Sequence, residues 1–231
     1  EATGQNAFWM NNAFSGLPSI MVDFYSNADW YKSISSIITF ATHGEPTNPF
    51  VYFFWAMVCF YILMMSLNVN KWLALIGSIA FAFSSYNPII IAAGHTTKML
   101  DIAYLPAVIA GVLWTYKGRY WLGGVVTGLF TALLFTAGHY QIIYYGAVLM
   151  GILVIAKLII NIKQKTFKKW LIASCVLFGV ALLAASTRAA RMIPIQQYGH
   201  HSIRGGNIEL SSENQIQSGG LDKDYAFQWS N

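Results

Sequence analysis

The sequence of 231 residues predicts an all-α fold of the polytopic membrane kind: a helical bundle of about six transmembrane helices with extracytoplasmic loops. Composition, the spacing of apolar runs and the placement of charge carry that prediction. Hydrophobic residues make up 56% of the chain and charged ones 10%, against about 25% charged in an ordinary soluble domain. Aromatic residues reach 16%, more than a water-soluble core of this length needs. A chain so poor in charge points to the bilayer as its solvent.

A helix crosses the hydrocarbon layer with about 20 mainly apolar residues. Six stretches meet or approach that length: 49–67, 72–92, 101–116, 120–137, 140–160 and 170–187. The third is short and carries Pro106 near its start, which predicts a kink or a tilted entry. Pro88 is expected to end or bend the second, leaving 87–100 as a partly re-entrant loop. Cys59 and Cys175 both fall inside apolar runs and read as small buried hydrophobes, not as a disulfide or a metal pair.

Charge divides the connections into two sets. The turns after the first, third and fifth runs hold Lys71, Lys117, Arg119, Lys163, Lys165, Lys168 and Lys169, with no acidic residue among them. By the positive-inside rule these turns face the cytoplasm. All 9 acidic residues and all 5 histidines then fall on the other side. The net charge of +5 therefore reads as membrane orientation and gives no reason to expect nucleic acid.

Residues 1–48 read as an extracytoplasmic loop, in which 30–41 has the spacing of a helix lying along the interface. Residues 49–187 form the six-helix membrane region. Residues 188–231, with Gly205-Gly206 and Gly219-Gly220 among Ser, Asn and Gln, read as an extracytoplasmic loop and tail. The opening "EATGQNAFWMNN" has neither a basic start nor an initiator Met, so both ends are expected to be cut, with at least one helix upstream. No internal repeat of fixed period stands out.

The chemistry is expected on the outer side, in the string "AAGHTTKMLDIAYLP". On a helix, His95 shares a face with Lys98, and Lys98 with Asp101. His139 and Gln141 in "TAGHYQIIYY" lie at the same level, Arg188 follows the sixth run, and Arg204 lies in "HHSIRGG". Ionisable groups at that depth are costly unless they pair, face a water-filled cavity or bind something. Snorkelling of Lys98 and capping by Asp101 would account for each residue singly; the whole set on one side favours a site. Lys and Arg beside His suit a phosphate or diphosphate head group, and Tyr86, Tyr104, Tyr140, Tyr144 and Tyr145 suit a sugar ring or an isoprenoid chain. His95 and His139 as axial ligands to a haem or pigment are a lesser alternative, without a Cys-x-x-Cys-His motif. Zinc is weaker still, since the adjacent His200 and His201 lack spaced partners.

In order along the chain, "FWMNNAFSGLP", "AAGHTTKMLDIAYLP", "TAGHYQIIYYG", "QYGHHSIRGG" and "GLDKDYAFQWS" resemble successive motifs of the YfhO-type bacterial integral membrane proteins, in their Bacteroidetes-like version. The resemblance implies a GT-C glycosyltransferase-like protein of about a dozen helices followed by an extracytoplasmic domain, of which this chain is the N-terminal portion. It implies transfer of a sugar from a polyprenyl-phosphate carrier to an envelope glycan or glycolipid acceptor, at the outer face of the bacterial cytoplasmic membrane. The positions that match are His95, Lys98, His139, Gln141, Arg204, Asp222 and Trp229, the last two as loop structure. The family's catalytic carboxylate is expected just after the first helix; Asp23 lies in that loop, and the base itself is expected upstream of Glu1. Gln197 stands before Tyr198 where an acidic residue is expected.

The resulting expectation is a phosphate site built from His95, Lys98, Asp101, His139, Gln141, Arg188 and Arg204, with Asp23 as the carboxylate nearest to a base. No cofactor is called for and a divalent metal is optional. The partners expected are the lipid bilayer, the lipid-linked sugar, its acceptor and other membrane proteins. The competing reading is a non-catalytic integral membrane subunit of an envelope or energy-transducing complex, with "GGVVTG" at 123–128 as a helix-packing surface. A transporter comes third, for want of an inverted repeat.

Overall fold

The structure is a computed structural model that describes residues 49–189 and 193, together with the backbone of 9–10 and 17–18. Two compact units divide the chain: Ser33–Arg188, and residues 1–32 with 189–231. In the second unit, β1 (Trp9–Met10) pairs antiparallel with β2 (Leu17–Pro18), Trp9 opposite Pro18. The interfacial helix expected at 30–41 and the tail after 193 lie outside the described residues.

The first unit is helical throughout its described part. It comprises α1 (Pro49–Ser66), α2 (Lys71–Ala82), α3 (Tyr86–Ala92), α4 (Thr96–Tyr116), α5 (Tyr120–Ala137), α6 (Tyr140–Lys163) and α7 (Phe167–Ser186). With α2 and α3 taken as one broken span, six spans are long and apolar enough to cross a membrane. Large apolar side chains such as Trp72, Ile76, Trp121, Ile152, Phe178 and Leu183 are exposed on the outside of the bundle. Helices apolar all round suit an apolar solvent. Cys59 is fully buried, as expected, whereas Cys175 faces outward; both are free thiols.

Helix α4 is the hub and packs against α1, α3, α5, α6 and α7. Its crossing with α5 is a backbone-to-backbone contact. A Cβ on Gly111 would lie 2.7 Å from the Thr127 amide nitrogen and 2.9 Å from the Gly123 carbonyl oxygen. Reciprocally, a Cβ on Gly123 would lie 2.6 Å from the Gly111 carbonyl oxygen. Small residues four apart let helices approach this closely in lipid, where apolar side chains gain nothing by leaving the tails. The Thr115 hydroxyl donates to the Gly111 carbonyl at 2.9 Å, so its polar group is satisfied inside the seam. Above the seam, Trp55, Tyr104 and Phe130 tie α1, α4 and α5 together, with ring centroids 5.9 to 6.2 Å apart. The other glycines of the same run, Gly124 and Gly128, face α7 and floor an apolar groove of about 540 Å³ lined by Trp121, Val176, Val180 and Leu183.

Two expectations from the sequence need correction. The second span breaks at 83–85, before Pro88, which sits in the first turn of α3. A proline ring clashes with the carbonyl four residues earlier, here that of Ser84, so the preceding helix ends before it. Asn87, 2% exposed, fills the break: its side-chain amide donates to the Phe81 and Ala82 carbonyls at 3.0 Å each. The second correction concerns 87–100, which forms no re-entrant loop. Helix α3 runs to Ala92, a turn occupies 93–95, and α4 starts at Thr96, continuing through Pro106 as a helix of 21 residues.

Short turns force successive spans to alternate in direction. The turns carrying Lys71, Lys117 and Arg119, and Lys163 to Lys169, therefore gather at one end of the bundle, and those carrying His95 and His139 at the other. Basic side chains close helix C-termini at both ends. Lys117 donates to the Ser66 carbonyl at the end of α1. Arg188 donates through Nε to the Phe135 carbonyl at 3.1 Å, and through a second nitrogen to the Thr136 carbonyl, at the end of α5. Cations there oppose the negative end of the helix dipole.

Candidate functional site

The site end is built from one local device used twice. Ala93-Gly94-His95 joins α3 to α4, and Ala137-Gly138-His139 joins α5 to α6. Both glycines are left-handed, φ +80° at Gly94 and +81° at Gly138, and each stops one helix. The histidine that follows is the N-cap of the next helix, with φ −85° at His95 and −87° at His139. The Gly94 amide donates to the Ile91 carbonyl and the Gly138 amide to the Leu134 carbonyl, both at 2.9 Å. An alanine at either glycine must hold a conformation that costs an L-residue about 1–2 kcal/mol. Gly138→Ala is expected to lower stability by about 1 kcal/mol, seen as a reduced midpoint in thermal denaturation of the detergent-solubilised protein. The recurring Ala-Gly-His was the one sequence signal of this geometry.

Asp101, on the second turn of α4, is 0% exposed and does not cap its own helix. Its Oδ2 accepts from the backbone N–H of His139 at 2.9 Å, across 38 residues of chain. It thus supports the α5–α6 turn from beneath. The other carboxylate oxygen, Oδ1, is enclosed without a partner, and so is Nδ1 of the His139 ring. Buried polar atoms left unpaired are costly. Two of them sit on residues already bonded to each other.

His95 is exposed and Lys98 half-buried, with Lys98 Nζ 5.7 Å from the Tyr86 ring centroid, a cation–π distance. His139 is half-buried between the two spans that its turn connects. Burial, and after it the positive Lys98 and the neighbouring His95, hold its imidazole below the usual histidine range. That environment favours the neutral imidazole. Gln141 is exposed and donates to the Tyr145 hydroxyl at 2.9 Å, so it faces outward from the first turn of α6. The structure thus brings His95, Lys98, Asp101 and His139 together, and places Gln141 and Arg188 at the same end of the bundle. Arg188 is engaged on the carbonyls that end α5. Asp23, Arg204, Asp222 and Trp229 lie outside the described residues. Among the described residues, no three His, Cys, Asp or Glu side chains converge as a metal ion would require.

Six apolar spans around a glycine seam, with ionisable groups at one end, define an α-helical multi-pass membrane protein. No protein-family model, curated protein sequence or solved structure matches the chain.

Proposed function

We propose that this chain is part of a membrane glycosyltransferase that moves a sugar from a polyprenyl-phosphate carrier to a cell-envelope glycan or glycolipid. The observation that carries the reading is the pair of matched Ala-Gly-His turns, which set two imidazoles and Lys98 at the bundle end opposite the lysine-rich turns. With those turns in the cytoplasm of a bacterium, the histidine end meets the outer leaflet of its cytoplasmic membrane. Lys98 holds the carrier phosphate and stabilises the charge that develops on it as the sugar leaves. His95 contributes a hydrogen bond to the phosphate, and Tyr140 and Tyr144, exposed on the first turns of α6, offer aromatic faces to the sugar. A low-dielectric surface makes these charges count for more than they would in water.

The test is turnover of radiolabelled polyprenyl-phosphate sugar by the full-length protein in proteoliposomes. The Lys98→Ala variant is expected to insert normally and to transfer no sugar. Wild-type turnover in that variant would remove the phosphate site. The apolar groove between α5 and α7 favours a second reading, a non-catalytic subunit whose glycine-floored face receives a partner helix. Co-purification with a stoichiometric membrane partner, without sugar transfer, is the result that reading expects.

A further inference from the structure

Sugar transfer to a hydroxyl needs a group that takes the hydroxyl proton, and Asp23, the carboxylate expected from the sequence, lies outside the described residues. Among the described residues the one carboxylate is Asp101, and that side chain is 0% exposed. A fully enclosed carboxylate does not reach an acceptor. It does reach His139, whose backbone it holds at 2.9 Å.

The enclosed atoms sort the two ring nitrogens of His139. Nδ1 is buried without a partner, in a residue that is itself half-buried, so Nδ1 is the inward nitrogen and Nε2 is left for the outer side. The partnerless Asp101 Oδ1 belongs to the carboxylate already bonded to this residue. The two atoms do not bond each other directly; a proton on Nδ1 reaches that oxygen through one bridging water and leaves the lone pair on Nε2. A buried carboxylate that fixes the tautomer and orientation of an imidazole is a recurring arrangement for proton transfer.

We infer that His139 is the catalytic base that deprotonates the acceptor hydroxyl through Nε2, and that Asp101 is its positioning residue. The inference rests on the glycosyl-transfer reading. In the step, the acceptor O–H proton passes to Nε2 as the acceptor oxygen bonds to the anomeric carbon. The bond from that carbon to the phosphate oxygen breaks, and its electron pair leaves with the polyprenyl phosphate, which Lys98 neutralises. The imidazolium then returns its proton to water. His95 is unsuited to this role because it is exposed and has no carboxylate behind it. A base must be unprotonated at working pH, and burial together with Lys98 and His95 favours that form of His139. Lys98 on α4 and His95 in the turn before it lower its titration, while Asp101 holds its backbone amide and Arg188, after α7, is bonded to the carbonyls of residues 135 and 136.

Full-length protein in proteoliposomes, with radiolabelled polyprenyl-phosphate sugar, tests this. His139→Gln is expected to lower kcat by about 10²–10⁴-fold with KM little changed, and added imidazole to restore part of the rate of His139→Ala. The wild-type rate should rise with pH through the titration of His139 and then level off. Lys98→Gln removes a neighbouring positive charge and should move that rise to higher pH in whatever activity remains. If the wild type transfers sugar and His139→Gln matches its kcat and pH profile, the inference falls and the transfer reading stands. If the wild type transfers none, both fall. A measurement that needs no turnover is ¹⁵N-histidine NMR of the intact protein. Residue 139 is expected as the Nδ1–H tautomer in the wild type and not in Asp101→Asn, while an Nε2–H tautomer in the wild type overturns the inference.

Discussion

Gly123→Leu is expected to take the bundle apart at its centre. The new Cβ would stand 2.5 Å from the Thr115 amide nitrogen and 2.6 Å from the Gly111 carbonyl oxygen, both backbone atoms of α4. A side-chain tip can rotate away; a helix backbone has to translate. Overpacking a core costs about 1–3 kcal/mol when side chains yield, and more where the backbone must. Because α4 also contacts α1, α3, α6 and α7, moving it disturbs its packing against each of them. The loss should appear as aggregation in size-exclusion chromatography in detergent and as a large fall in the thermal midpoint. Gly151→Ala and Gly179→Ala meet nothing within 4 Å, and each should stabilise its helix by up to about 1 kcal/mol. Gly123→Leu behaving like those two would show that α4 and α5 do not cross this closely.

The second large effect is expected at Asp101, where two substitutions separate hydrogen bonding from charge. Asp101→Ala removes the acceptor for the His139 amide and leaves a space under the α5–α6 turn. Losing a hydrogen bond to a buried carboxylate costs about 1.5–3 kcal/mol, and the unfilled volume adds to that. Asp101→Asn keeps an acceptor oxygen for the amide and removes the charge, which costs free energy to bury. The Asn variant should therefore hold wild-type stability or exceed it, while the Ala variant falls well below. Hydrogen exchange at the His139 amide provides the local readout: protected in the wild type and in Asn, fast in Ala. Equal stability of Ala and wild type would mean that the 2.9 Å contact contributes nothing.

The spans were legible in the sequence wherever a run was apolar from end to end. Residues 120–137 match α5 at both ends, and 49–67 exceeds α1 by one residue. Legibility failed where polar residues belong to a helix. The first turns of α4, Thr-Thr-Lys-Met-Leu-Asp, are too hydrophilic to count toward a span, so the sequence starts that helix at Asp101 instead of Thr96. Likewise Pro88 was the visible breaker, while the break that it forces lies upstream and is closed by Asn87. For the site, the level of His95, Lys98, Asp101 and His139 follows from counting spans between short turns. The bond from Asp101 to His139 does not, because it depends on how near α4 comes to the α5–α6 turn. That distance is set by glycine contacts far along the chain.

Helix α6 has a single buried residue, Gly146, packed against Leu105, and along its length a bond from Trp170 Nε1 to the Val154 carbonyl at 3.1 Å. Its first residues are moored to α4 by the Asp101 carboxylate. Most of the length of α6 therefore faces outward, and the Asp101 carboxylate fixes its first turn where few other contacts do.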